Sequence, residues 1–260
     1  MKQYIVDAFT DRVFHGNPAA VCVMDAWLSD EVMQAIAAEN NIAETAFVVK
    51  EGERYRIRWF TPMTEEELCG HATLAASFVI LTFIEPDTDE VRYASISGDL
   101  SVKRKGDLFE LNFPTYVLKE ISVTDAMEKA YGVRPVHAVL GLDLNCVFEN
   151  EETVRGLSPD YSLLKKLPGR IWNATAKGRE YDCVSRSFTP ETTVPEDPVC
   201  GSAHCQIADY WAGVLGKKTI RAYQASERGG ELECEVLGNG RIALRGRAVL
   251  FAASDITASL

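Results

Sequence analysis

The chain has 260 residues, a length that fits one large domain or two small ones. Hydrophobic residues make up 47% and charged residues 25%, values that exclude a disordered chain. Lys and Arg number 27 against 38 Asp and Glu, and the net charge of −11 disfavours nucleic acid and anionic membranes as partners, because both reward clustered positive charge.

The first residues, Met1 to Phe9, read as a strand: Asp7 and Asp11 stand where a secretion signal needs an apolar core. The longest apolar stretch, Ala72 to Ile84, contains Thr73, Ser77 and Thr82 and is too short for a membrane span, which needs about 20 residues. Seven cysteines, an odd and widely spaced set without an export signal, predict free thiols in a reducing cytoplasm.

Strand-like segments follow in order: Tyr4 to Phe9, Ala19 to Met24, Thr45 to Val49, Tyr55 to Phe60, Val91 to Ile96 and Leu108 to Phe113. The second half continues with His137 to Leu140, Cys146 to Glu149, Arg170 to Thr175, Cys183 to Phe188, Thr219 to Tyr223 and Ile242 to Phe251. Each half also predicts two helices. One is amphipathic: Ser29 caps Asp30 to Asn40, and its counterpart takes Ser158 as cap with Pro159 in the first helical position. The other is apolar nearly all round, over His71 to about Phe83 and Ser202 to about Leu215, so it is expected to be buried inside a surrounding sheet.

The halves repeat. Phe60-Thr61-Pro62 recurs 128 positions later as Phe188-Thr189-Pro190, and Cys69-Gly70-His71-Ala72 is echoed after 131 as Cys200-Gly201-Ser202-Ala203. Gly98-Asp99-Leu100 and Leu28-Ser29-Asp30 have echoes at similar offsets. Two copies of this length predict two similar domains, residues 1–116 and 117–260, with the last strand able to pair back onto the first half.

Both apolar helices begin with Cys-Gly. A helix start presents free N–H groups and a positive dipole end, and glycine lets a ligand approach the backbone. Such starts fit a small anion, above all a carboxylate. Asp197, held extended by Pro198, lies three residues before Cys200. Alternation puts Glu44 on one face with Ile42, Ala46 and Val48, either as an exposed edge acid or as a desolvated acid suited to be a general base. Cys69 and Cys200 are either small buried hydrophobes or thiols whose pKa a helix start lowers, able to shuttle protons. Metal ligation by Cys69, His71, Cys200, His204 and Cys205 lacks a standard zinc spacing, and no metal is expected.

The chain resembles the phenazine-biosynthesis PhzF-like isomerase family. The resemblance is carried by His15-Gly16-Asn17-Pro18-Ala19-Ala20-Val21, Ala43-Glu44-Thr45-Ala46-Phe47, Trp59-Phe60-Thr61-Pro62, Leu68-Cys69-Gly70-His71-Ala72-Thr73 and Glu196-Asp197-Pro198-Val199-Cys200-Gly201-Ser202-Ala203-His204. It implies an α+β, diaminopimelate-epimerase-like fold: two pseudo-symmetric domains, each a barrel-like, mostly antiparallel sheet around a central buried helix. It further implies a cofactor-free site in the cleft between domains, a small carboxylate substrate and a cytoplasmic homodimer. By resemblance, Glu44 is the acid/base, His71 and Asp197 assist, and Cys69 and Cys200 match the proton-transferring thiols of related epimerases. Gly70, Gly201, Ser202 and Asn17 match substrate-binding positions. Three functions stay open: an isomerase working through Glu44, a two-thiol amino-acid racemase or epimerase, and a non-catalytic small-anion binding protein.

Overall fold

The structure is a computed structural model that describes residues 1–192 and 194–257. The chain divides into two compact units, Met1–Asn112 together with the chain from Arg245 onward, and Phe113–Leu244.

The first half runs β1 (Lys2–Ala8), β2 (Asn17–Met24), α1 (Asp30–Asn40), β3 (Glu44–Glu51), β4 (Arg54–Phe60), β5 (Glu65–Glu66) and α2 (Gly70–Val79). A π-helical turn, Ile80–Ile84, extends α2, and β6 (Glu90–Ser95), β7 (Gly98–Lys105) and β8 (Leu108–Pro114) follow. The second half runs β9 (Lys119–Glu120), α3 (Asp125–Tyr131), β10 (His137–Leu140), β11 (Leu144–Val147), α4 (Glu151–Gly156), α5 (Tyr161–Leu164), β12 (Trp172–Lys177) and β13 (Cys183–Phe188). It continues with β14 (Glu196–Asp197), α6 (Gly201–Leu215), β15 (Thr219–Gln224), β16 (Gly230–Gly238) and β17 (Arg241–Gly246), and the chain's last described strand is β18 (Ala248–Asp255).

Pairing in the first unit gives the order β18-β1-β2-β3-β4-β6-β7-β8, with β5 laid on β4; the β2–β3 and β4–β6 steps are parallel and the others antiparallel. The second unit gives β9-β10-β11-β12-β13-β15-β16, with β14 laid on β13 and parallel steps at β11–β12 and β13–β15. The two sheets thus share one plan, with the parallel steps in the same places, and the four short echoes in the sequence mark a repeat of topology.

In each unit the sheet is covered on both faces, which is why its strands are buried on alternate and neighbouring positions alike. In the first, α2 packs against β1, β2, β3 and β18, while α1 packs against β3 and β4. The α1 layer buries Met33 and Ile36 against Cys22, Met24, Phe47 and Phe60. Ser29 caps α1, its side chain accepting from the Val32 N–H. Helix α2 is buried from His71 to Ser77 and satisfies its polar residues internally. Thr73 Oγ1 donates to Cys69 O at 2.5 Å, Ser77 Oγ donates to Thr73 O at 2.7 Å, and the Ser77 hydroxyl also meets that of Tyr93. In the second unit α6 packs against β13, β15 and β16. On the other face Trp172, Ala174, Val184 and Phe188 join a core with Met127, Tyr131, Val154 and Leu164 from α3, α4 and α5.

Three expectations are corrected. Ser158 and Pro159 do not start a helix: Asp160 is the cap of α5, accepting from the N–H groups of Ser162 and Leu163, because its carboxylate reaches two orphan donors at once. The strand expected over Ile242 to Phe251 is two, β17 and β18, broken at Arg247, whose carbonyl accepts from Phe9 and Thr10 instead of continuing a ladder. Among the described residues the second half also has four helices rather than two, since Thr124 and Asn150 cap short extra ones. All seven cysteines are free and buried. No helix among the described residues is long and apolar enough to cross a membrane.

Candidate active site

In the first unit three candidates form a continuous contact chain. Cys69 is the N-cap residue of α2, with extended backbone, and Gly70 and His71 form the first turn. Glu44 opens β3, beside the helix start. His71 Nε2 lies 3.0 Å from Glu44 Oε2, and His71 Nδ1 lies 3.4 Å from Cys69 Sγ. The imidazole is therefore a bridge between carboxylate and thiol. The Glu44 side chain is 18% exposed and that of His71 is 7% exposed, so the reading of Glu44 as an exposed edge acid does not hold.

Charge follows from this packing. Burial pushes the Cys69 thiol up, and the negative Glu44 adds to it; His71 and the Ala72 N–H pull it down by less. The expectation of a lowered thiol pKa is overturned, because loss of water around a full charge outweighs the partial charges of a helix end. Burial alone would depress His71, but the Cys69 sulfur and the Glu44 carboxylate together hold it well above its ordinary value. The trio's ligating atoms lie within 4.8 Å of one another, a donor set of the kind transition metals use. However, His71 Nδ1 is hydrogen-bonded to the Cys69 sulfur, and its Nε2 faces Glu44 Oε2 at ion-pair distance, the two atoms buried together without hydrogen-bond geometry. A metal would have to displace one of those contacts, and the arrangement as built fits proton transfer better.

The second unit repeats the frame with different chemistry. Cys200 is the extended N-cap of α6, followed by Gly201 and Ser202. Cys200 Sγ meets Ser202 Oγ at 3.4 Å, so the serine occupies the place that His71 has beside Cys69. Burial, and then the charge of Asp197, raise the Cys200 thiol well above its ordinary value, again against expectation. Asp197 Oδ1 accepts from the Val199 N–H at 3.1 Å, closing the turn that Pro198 begins. His204 lies one turn into α6. Its Nδ1–H donates to Cys200 O at 2.7 Å, as Thr73 Oγ1 does to Cys69 O, and its Nε2 accepts from Ser185 at 3.2 Å. By strand register the place of Glu44 falls to Ile171 in the second unit, so no acid stands there.

Asn17 is buried at the start of β2, paired in register with Ala8. The loop before it is tight: Phe9 and Phe14 adopt φ of 62° and 70°, and Gly16 adopts +66° where a Cβ would lie 2.1 Å from Ala8 O. Only glycine fits there.

The sequence reading missed two further features. Each short strand before a helix start is clamped by a bidentate ion pair. Arg58 Nε and Nη2 donate to Glu65 at 2.7 Å each, and Arg186 Nε and Nη2 donate to Glu196 at 2.7 Å each. Each guanidinium also lies over the phenylalanine of its Phe-Thr-Pro segment, 5.2 Å from Phe60 and 5.1 Å from Phe188. The second feature is Glu66. It stands three residues before Cys69, as Asp197 stands before Cys200, and pairs with Trp59 as Asp197 pairs with Ser187. Burial, and then the charges of Glu44 and Glu67, raise its pKa. The matching spacing was present in the sequence as a signal. A groove of about 800 Å3 in the first unit, lined by Arg54, Tyr55, Glu85, Arg92, Tyr93 and Asp99 among others, holds none of the candidate residues.

Comparison with known proteins supplies the family. A model of phenazine biosynthesis-like proteins matches residues 6–254. An uncharacterized isomerase of Pseudomonas aeruginosa is 48% identical over 255 residues, covering 98% of this chain and 97% of the relative. The crystal structure of a PhzF-family phenazine biosynthesis protein from Enterococcus faecalis superposes with a TM-score of 0.96 at 46% identity, over 99% of each chain. At 11% identity, a probable proline racemase from Agrobacterium radiobacter with bound carbonate shares the fold alone, with a TM-score of 0.65 over 98% of this chain and 92% of that one. Repeated sheet plan, paired helix starts and full-length likeness agree, and the chain belongs to the phenazine biosynthesis-like (PhzF) family, with an α+β fold.

Proposed function

We propose that the protein is a cofactor-independent isomerase that moves a proton on a small carboxylate-bearing substrate. The Glu44–His71–Cys69 chain carries this reading. Glu44, as carboxylate, takes a proton from a substrate carbon, and the electron pair passes into the adjoining carbonyl or carboxyl group. The N–H groups of Gly70 and His71 at the head of α2 are read as preorganised donors for that charge, the kind of term that usually dominates such catalysis. His71 holds the carboxylate in place and links it to Cys69, so a proton can return from Glu44 or, through the imidazole, from the thiol. Glu44 and Cys69 are then two ends of one relay rather than rival machineries. Asp197 is read as assisting the proton transfer, and Ser202, Gly70, Gly201 and Asn17 as substrate-binding groups.

The test is a deuterium-exchange screen of small amino and hydroxy acids in D2O, read by NMR, on wild type and Glu44→Gln. Exchange into one carbon position with loss in Glu44→Gln supports the reading; unchanged turnover in the variant overturns it. A cysteine at each helix start also motivates a second reading, a two-thiol racemase, in which one sulfur, deprotonated, takes the α-proton and the other, as thiol, gives one back. That reading predicts deuterium at the α-carbon and loss of activity in Cys69→Ala and in Cys200→Ala alike, and retained activity in both excludes it.

A further inference from the structure

The segment Asp197-Pro198-Val199-Cys200 contains two of the candidate groups and turns from the end of β14 to the cap of α6, and one fully buried side chain ties both of its ends. Gln224, the last residue of β15, is 0% exposed. Its Oε1 accepts from the Cys200 N–H at 2.8 Å and its Nε2–H donates to Asp197 O at 2.5 Å. Ser226 adds a third tie, donating to Pro198 O at 2.7 Å while accepting from the Gly229 N–H.

The first unit shows that such a side chain is not needed to build this helix start. There, Cys69 takes the same extended N-cap conformation at the head of α2. By strand register the place of Gln224 falls to Ser95, one step beyond the Arg56–Ala94 pair, and the Ser95 hydroxyl donates to Gly98 O instead. The amide is thus an addition to the shared plan: Asp197 ends β14 as its counterpart Glu66 ends β5, yet only the turn from Asp197 to Cys200 is tied by a buried amide.

We propose that Gln224 is a positioning residue: its amide fixes the distance and orientation of Asp197 and Cys200, and so sets the rate of proton transfer without touching substrate. The proposal rests on the reading of Asp197 and Cys200 as site residues. Only an amide supplies one acceptor and one donor in this geometry. A carboxylic acid does the same when protonated and fails when ionised, because a carboxylate cannot donate to Asp197 O.

The experiment uses the full chain with Gln224→Glu and Gln224→Leu. In the deuterium-exchange assay, kcat for the exchanging acid is expected to fall on the order of 10–100-fold in Gln224→Leu, the scale of a displaced catalytic group, with KM little changed. Gln224→Glu is expected to recover activity as pH falls, a profile absent from wild type. The backbone amide resonance of Cys200, followed by NMR, needs no substrate: in Gln224→Glu it should titrate with the introduced carboxyl group. Wild-type kcat and pH profile in both folded variants overturn the proposal, as does a Cys200 amide unmoved by pH in Gln224→Glu. If instead Asp197→Asn and Cys200→Ala keep full activity while the amide titrates, the contact stands and the assignment of those two residues to the site is what fails; Gln224 then positions nothing catalytic, and the proposal falls with it.

Discussion

Lowering the pH should unfold this protein partly through one residue, His204. Its two ring nitrogens are spoken for in the neutral form: Nδ1–H donates to Cys200 O and Nε2 accepts from Ser185. The residue is fully buried, and burial lowers its pKa from 6.5 to about 4 against a smaller opposing pull from the Cys200 carbonyl. Above pH 6.5 neither folded nor unfolded chain holds the proton, and the contribution is intact. Between 6.5 and 4 the unfolded chain takes the proton first, so stability drains away; below 4 the loss is complete. At about 1.36 kcal/mol per pKa unit, the loss is about 3 kcal/mol. The perturbation is His204→Gln, which keeps a donor and most of the volume without titrating. Urea unfolding from pH 7.5 to 4, followed by tryptophan fluorescence, gives stability against pH for both proteins. Titrations common to both cancel in the difference. The variant is expected to start less stable and to gain on wild type by about 3 kcal/mol as pH falls to 4. Parallel curves over that range would refute the argument that His204 is buried neutral.

His71 should show the opposite sign. Its raised folded pKa means its contribution is intact below about 6.5 and lost as pH rises through the folded value, so the stability gap between wild type and His71→Asn should shrink on the alkaline side. A gap that widens with pH would contradict the ion pair with Glu44. Glu196→Gln should cost about 3 kcal/mol in urea melts, because it strips the partner from Arg186, whose side chain is only 13% exposed. It should also slow turnover by loosening the strand that carries Asp197. Gly246→Ala should cost about 1–3 kcal/mol, since the new methyl would sit 2.3 Å from the buried Phe9 ring and 3.3 Å from Leu74. A melt indistinguishable from wild type would show that the ring can move aside.

Much of this protein was legible in one dimension. Alternation marked most of the strands, and an apolar run marked each central helix, because these signals are local and each residue's face follows from the period of its own element. The Cys-Gly starts and the acid three residues before Cys200 were readable for the same reason, and the equivalent acid, Glu66, carried the same signal unread. The two-residue strands β5 and β14 were not legible, since such short pieces exist only through pairing and an arginine clamp reaching across the sheet. Nor was the state of the thiols. A helix start argues for a low pKa at Cys69 and Cys200, yet what decides it is how much water the rest of the fold removes, a quantity no tripeptide contains. The sequence by itself determined the repeat, the elements and the list of chemical groups. Only the tertiary structure decided that Glu44, His71 and Cys69 touch in one line, and that Gln224, 24 residues beyond Cys200, holds its amide. The Glu44–His71 and Gln224–Cys200 contacts join residues far apart in the chain, and their distances are set by sheet register and helix packing, to which local sequence pattern is blind.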